Sequence, residues 1–78
     1  MQKGLTKRLG QIVLFHRKKA GLTREKLCEF AGVSRGVLIA IEKGNGNPKL
    51  SSLFAIFGVL NIRMEFVSPL MEAFDAQG

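Results

Sequence analysis

Acidic residues are scarce in this chain of 78, with six Asp and Glu against twelve Lys and Arg, and it contains one cysteine, one histidine and two prolines. A lone Cys28 excludes an intramolecular disulfide framework. His16 and Cys28 have no companions of metal-ligating type at a shared spacing, so no metal is expected. There is no glycine-rich phosphate loop and no histidine–carboxylate–nucleophile set. The glutamates Glu25, Glu29 and Glu42 fall on segments with structural duties, so neither an enzymatic activity nor a cofactor is expected. No apolar run approaches the roughly 20 residues of a membrane span, and Met1-Gln2-Lys3 does not begin a signal peptide. A cytoplasmic location is expected. No internal repeat, low-complexity stretch or interdomain linker is present. One domain over residues 1–78 is expected, with its core at about 5–67 and a tail at 68–78. A chain this short buries only roughly 60% of its unfolded surface, so association with a second copy is a ready source of further burial.

The positive charge is concentrated. The formal net charge is +6, and residues 1–49 hold eleven Lys or Arg against three Glu, a balance of +8. Residues 50–78 hold Arg63 against Glu65, Glu72 and Asp75, a balance of −2. A basic surface raises local affinity for a polyanion and speeds encounter with it.

Residues Leu22 to Gly44 organise the chain. Thr23 is suited to cap a helix over about Arg24 to Ala31, because its hydroxyl accepts an orphan backbone N–H. Gly32 breaks that helix, and Ser34 caps a second one over about Arg35 to Lys43 that stops at Gly44. The apolar positions Leu27, Val33, Leu38 and Ile41, with small Cys28 beside them, fall on facing surfaces. The pair therefore closes at a steep angle as a helix-turn-helix, with its second helix free to enter a DNA major groove.

This stretch resembles the Cro/CI-type (Xre-like) helix-turn-helix family. The resemblance rests on Gly21-Leu22-Thr23, Leu27, Cys28 where the family usually has Ala, Gly32-Val33-Ser34, Leu38, and Ile41-Glu42-Lys43-Gly44. It extends to Leu9-Gly10 and Arg17 upstream and through Asn47-Pro48 to Leu60 downstream. It implies an all-α, lambda-repressor-like domain of four or five helices that binds double-stranded operator DNA. It also implies a structural ion pair between Arg17 and Glu42. Arg24 stands in the first turn of its helix, where the family commonly sets a glutamine against a phosphate, so a phosphate contact is expected of it. The loop residues Asn45 and Asn47, with Lys43, are expected to touch the phosphate backbone, although Asn and Gly also simply permit left-handed turns.

The helix over Arg35 to Lys43 is the candidate reader. Arg35 suits a bidentate contact to guanine O6 and N7. Val37 and Ile39 suit thymine methyl groups, and Gly36 permits close backbone approach. The family tends to place hydrogen-bonding side chains at these positions, whereas this helix runs Val-Leu-Ile-Ala-Ile. Either specificity rests partly on DNA shape or this face serves some purpose other than base reading.

A first helix over residues 5–20 is expected to bury Leu5, Leu9, Ile12, Val13, His16 and Ala20. A fourth over Leu50 to Leu60 should bury Leu50, Leu53, Ile56, Phe57 and Leu60. Phe54 and Val59 flank that stripe and widen the apolar surface beyond a small monomer's needs, pointing to a partner chain. The period then changes, with Ile62, Met64 and Phe66 alternating with Arg63, Glu65 and Val67, a six-residue strand signal. A lone strand needs a mate, and the expected one is its copy across a dimer two-fold. This ending, Leu60 to Phe66, resembles HipB-type antitoxins. That resemblance implies a homodimer that represses its own operon, is associated with the bacterial nucleoid, and binds a kinase-fold toxin. A stand-alone phage-type or chromosomal regulator, or a protein-interaction adaptor on the same fold, are the alternatives.

Overall fold

Five helices run through the computed structural model, which describes residues 2–77: α1 Gln2–Lys19, α2 Arg24–Ala31, α3 Arg35–Lys43, α4 Leu50–Leu60 and α5 Met71–Gln77. Met1 and Gly78, the ends of the expected domain, lie outside the described residues. Hydroxyl caps start the two central helices. Thr23 Oγ1 accepts from the Lys26 amide at 3.1 Å and Ser34 Oγ from the Val37 amide at 3.2 Å, each cap contributing about 1 kcal/mol. Left-handed residues end four of the helices, at Gly21, Gly32, Gly44 and Asn61. At Gly44 (φ 73°) the amide donates to Ile41 and that of Asn45 to Ala40, the paired bonds that satisfy the last carbonyls of a helix. Asn61 does the same for α4 at φ 59°.

The core is formed by Val13 of α1, Leu27 of α2, Leu38 and Ile41 of α3, and Leu53, Ile56, Phe57 and Leu60 of α4. The α1 packing is the tightest. It lies so close to α3 that a Cβ on Gly10 would collide with the Ile41 carbonyl oxygen and lie 2.9 Å from that of Glu42. One turn earlier, a Cβ on Gly44 would lie 2.8 Å from Lys7 Cα. These two glycines let α1 seat against the end of α3 backbone to backbone.

Three sequence expectations need correction. Leu5 and Leu50 are 59% and 58% exposed and Ala20 is also exposed. Leu5 precedes the point where α1 meets α3, Leu50 sits in the first turn of α4 before Leu53, and Ala20 lies past the last turn of α1. A helical stripe is buried only where another element faces it. Second, Leu9, Ile12 and His16 of the expected stripe are only half-buried, while α1 buries Gly10 and Arg17 beside Val13. Third, no strand occurs among the described residues: the segment from Ile62 to Ser68 has no regular structure. Its alternating pattern has no mate within the chain, and an isolated strand cannot pair its own backbone.

That segment leads to α5, which has no extensive packing against any other helix and no buried residue. Phe66, Val67, Leu70 and Phe74 are 73%, 91%, 74% and 67% exposed. The radius of gyration is 14.1 Å, against roughly 12 Å for a compact chain of this length. Residues 63–77 thus form an arm with an apolar surface.

Candidate nucleic-acid interface

The α2–α3 pair is held from behind by one carboxylate. Glu42 is buried at the end of α3, with 1% of its side chain exposed. Arg17 Nε donates to Glu42 Oε2 at 2.6 Å, and Arg17 Nη1 donates to the Leu22 carbonyl at 2.9 Å. Arg17 therefore ties α1 both to α3 and to the turn that leads into α2. Arg24 Nε donates to the other oxygen, Oε1, at 2.9 Å. Two guanidinium groups share a single carboxylate and leave a net positive charge at the N-terminus of α2. The Arg17 side chain is 10% exposed and that of Arg24 36% exposed, so only the second is placed to face a ligand.

With α3 anchored through Leu38, Ile41 and Glu42, its other face is available. Arg35, Gly36 and Val37 are exposed, while Ile39 and Ala40 are half-buried. Arg35 lies 3.9 Å from Glu25, both side chains well exposed, which in water is a weak contact. Gly36 has open space where a Cβ would stand. Cys28 packs against the core, and its thiol is pushed up from its ordinary value, first by burial and then by the charges of Glu25 and Glu42. It stays a neutral packing group at physiological pH. His16 is half-buried, and its Nδ1 donates to the Ile12 carbonyl at 2.7 Å. Among the described residues no group of three or more His, Cys, Asp and Glu is arranged to hold a metal.

Two concavities flank the exposed end of α3. In one, Val37 and Ala40 of α3 face the loop residues Asn45, Asn47 and Pro48 and reach Lys49 and Ser52. In the other, Lys43, Asn45 and Asn47 face Thr6 and Lys7 of α1. The structure therefore brings Val37, Asn45 and Asn47 together in the first and Lys43, Asn45 and Asn47 together in the second. Arg24 and Arg35 stand apart, each near a glutamate. Lys7 and Thr6 carry no signal of this placement in the sequence. In sequence they look like one more solvated turn of a basic helix, and only the approach of α1 to Gly44 places them beside the loop.

The proposed dimer-contact residues divide in two. Val59 and Ile62 pack partly against the chain's own core, and the Ile62 amide donates to the Phe57 carbonyl. Phe54, Met64 and Phe66 are exposed.

Two short capped helices joined by a glycine turn, the second pinned from behind and bare in front, define a helix-turn-helix protein. The chain belongs to the Xre/Cro-CI-type helix-turn-helix family, whose model, described as "Helix-turn-helix", matches residues 16–67. It is similar to an uncharacterized HTH-type transcriptional regulator of Methanothermobacter thermautotrophicus, 54% identical over 35 residues, which cover 45% of this chain and 51% of that protein. A second uncharacterized HTH-type transcriptional regulator, from Archaeoglobus fulgidus, is 41% identical over 49 residues, 63% of this chain and 70% of that protein. The immunity repressor protein of Bacillus phage phi105 is 39% identical over 59 residues, 76% of this chain and 41% of the repressor. The chain thus spans about half the length of the first of these and less than half of the phage repressor. No described helix is long and apolar enough to cross a membrane.

Proposed function

We propose that this chain is a sequence-specific DNA-binding repressor that acts as a homodimer in the cytoplasm, at the nucleoid, and blocks polymerase by occupying an operator. The observation that carries the reading is the state of α3, anchored by Leu38, Ile41 and Glu42 with Arg35, Gly36 and Val37 left exposed. Arg35 reads guanine, Val37 and Ile39 contact thymine methyl groups, and Gly36 lets the backbone approach. Arg24, Lys43, Asn45 and Asn47 set the register on phosphates. Two subunits place their α3 helices roughly 34 Å apart, one turn of DNA.

The test of base reading is Arg35→Ala, measured on an operator selected from a random duplex pool and on random duplex. Because the Arg35 side chain is exposed and, among the described residues, its ion-pair contact is the long one to Glu25, its loss is expected to leave the fold intact. The preference for operator over random DNA is expected to fall about 5- to 150-fold, the 1–3 kcal/mol of a bidentate base contact. An unchanged preference overturns the assignment.

The homodimer is supported by the arm. With Phe54 of α4, Met64 and Phe66 of the arm offer apolar surface that no described residue covers, and the alternating segment 62–67, unpaired among the described residues, would find its mate in another copy. Sedimentation is expected to give twice the 8.6 kDa of the chain. Phe66→Ser, at a side chain with no role in the core, is expected to return it to monomer. A wild-type chain that sediments as monomer at micromolar concentration removes the dimer.

The narrower reading is an autoregulating antitoxin of a HipBA-like operon that also holds a kinase-fold toxin. It is supported by the resemblance of Leu60 to Phe66 and by the exposed Leu70 and Phe74 beyond it. Similarity to a phage immunity repressor favours instead a stand-alone regulator. A kinase-fold reading frame adjoining the gene, whose product forms a defined complex with this chain, separates the two.

A further inference from the structure

We propose that the groove between α3 and the start of α4 takes the C-terminal arm of a second copy of this chain, with Leu70 and Phe74 seated against Val37, Ala40 and Pro48, and that this arm and duplex DNA compete for the same face of α3. The competition rests on the DNA-binding reading above; the contact between copies does not. The groove measures about 360 Å³, within the roughly 300–1,000 Å³ of clefts that hold a ligand. Val37, Ala40, Ile41 and Pro48 give it apolar walls, and Lys49 adjoins them. No residue of the arm 63–77 lines it, so in this structure the chain's own arm lies elsewhere. Apolar walls offer a hydrated phosphate little, but they suit an apolar side chain that is itself uncovered.

The arm has the matching chemistry. Residues 64–78 carry Glu65, Glu72 and Asp75 and no Lys or Arg, a balance of −3 against the +8 of residues 1–49. Among the described residues no acidic side chain lines the groove, and Lys49 takes part in no ion pair. The Phe74 amide donates to the Leu70 carbonyl at 3.0 Å, which winds these two residues onto one helical face. That face is bare, since α5 buries no residue and both side chains are largely exposed. Opposite charge steers the arm toward the basic helices, and the apolar pair fixes where it stops. Leu70 and Phe74 lie beyond the segment 62–67 assigned to the homodimer, so that pairing leaves them free. Duplex DNA presents the same combination, negative charge beside the methyl groups of thymine. Val37 cannot meet both at once, so each copy whose groove is filled is withdrawn from DNA.

The test uses the full chain throughout. An isotope-labelled Phe74→Ser chain, whose own arm lacks the apolar pair, is titrated with unlabelled wild type while the amide resonances of Val37, Ala40 and Ser52 are followed. Phe74 is exposed and outside the core, and its replacement leaves the net charge unchanged. Saturable shifts at those amides are expected, with none when the added chain is Phe74→Ser and with their return when it is Phe74→Leu. No shifts, or equal shifts from wild type and Phe74→Ser, overturn the contact. If the groove amides of labelled wild type differ from those of Phe74→Ser while added wild type moves nothing, the chain's own arm is the occupant and the second copy is overturned. Competition is read by titrating random duplex into chain held at the concentration that half-fills the groove. There the wild type has only half its grooves open, so Phe74→Ser is expected to bind duplex about twofold more tightly. Equal affinities with the shifts present overturn the competition. A chain that binds no duplex in either form removes the DNA-binding reading, and the resonances then decide the contact alone.

Discussion

Gly10→Ala is expected to lower the melting temperature by roughly 10–25 °C, the equivalent of about 3 kcal/mol in a domain of this size. The added methyl group would collide with the Ile41 carbonyl oxygen and lie 2.9 Å from that of Glu42. Both neighbours are backbone, so no rotamer change relieves the overlap. Either α1 lifts from α3, which opens space around Val13 and Ile41, or α3 bends and disturbs Glu42. Any of these displacements reaches the core, because α1 and α3 share the most extensive contact in the fold. The matched control is Gly58→Ala. Gly58 lies inside α4 with nothing near the space its Cβ would occupy. There the same substitution should stabilise by about 1 kcal/mol, since Ala costs less backbone entropy in a helix. Thermal unfolding followed by circular dichroism reads both. If the two substitutions shift the melting temperature in the same direction, the close seating of α1 is wrong.

Gly10 also shows where the sequence stops being legible. Hydrophobic spacing locates α1 and picks out Val13, but a glycine between Leu9 and Gln11 adds nothing to a hydrophobic pattern. The close approach is a relation between two helices, and nothing in either helix alone records it. The starts and stops of α2 and α3 were legible because they are local. Thr23, Gly32, Ser34 and Gly44 act on backbone groups within a few residues of themselves. Family resemblance points to Arg17 and Glu42 as a pair, whereas the position of Arg24 in sequence points to a phosphate alone. Its bond to the same carboxylate follows from a shared oxygen pair that spacing does not reveal. Lys7 was passed over for a similar reason, since its neighbours in the cleft lie thirty-odd positions along the chain. The stretch from Ile62 to Val67 fails differently. Its alternation is real, but a strand is a property of a pair, and among the described residues no second segment pairs with it.

Glu42→Gln is expected to cost about 3–5 kcal/mol, the typical loss when one partner of a buried ion pair is removed. The amide has nearly the shape of the carboxylate, so the packing survives and the charge alone is tested. Arg17, with 10% of its side chain exposed, is left as a buried cation without a counter-charge. Arg24 is 36% exposed and can turn to water, so its share should stay within the 0–1 kcal/mol of surface pairs. The two arginines therefore separate in double-mutant cycles. In an Arg17→Met background, Glu42→Gln should lose most of its effect, because no stranded cation remains. In an Arg24→Ala background it should keep nearly all of it. Denaturant unfolding of the wild type, the three single variants and the two double variants supplies both couplings. Arg24→Ala alone should leave stability close to wild type yet weaken binding to operator and random duplex alike, as loss of a phosphate contact does. Equal coupling of Glu42 to both arginines would show that the shared carboxylate holds Arg24 as part of the core, and Arg24 would then have no place at the DNA surface.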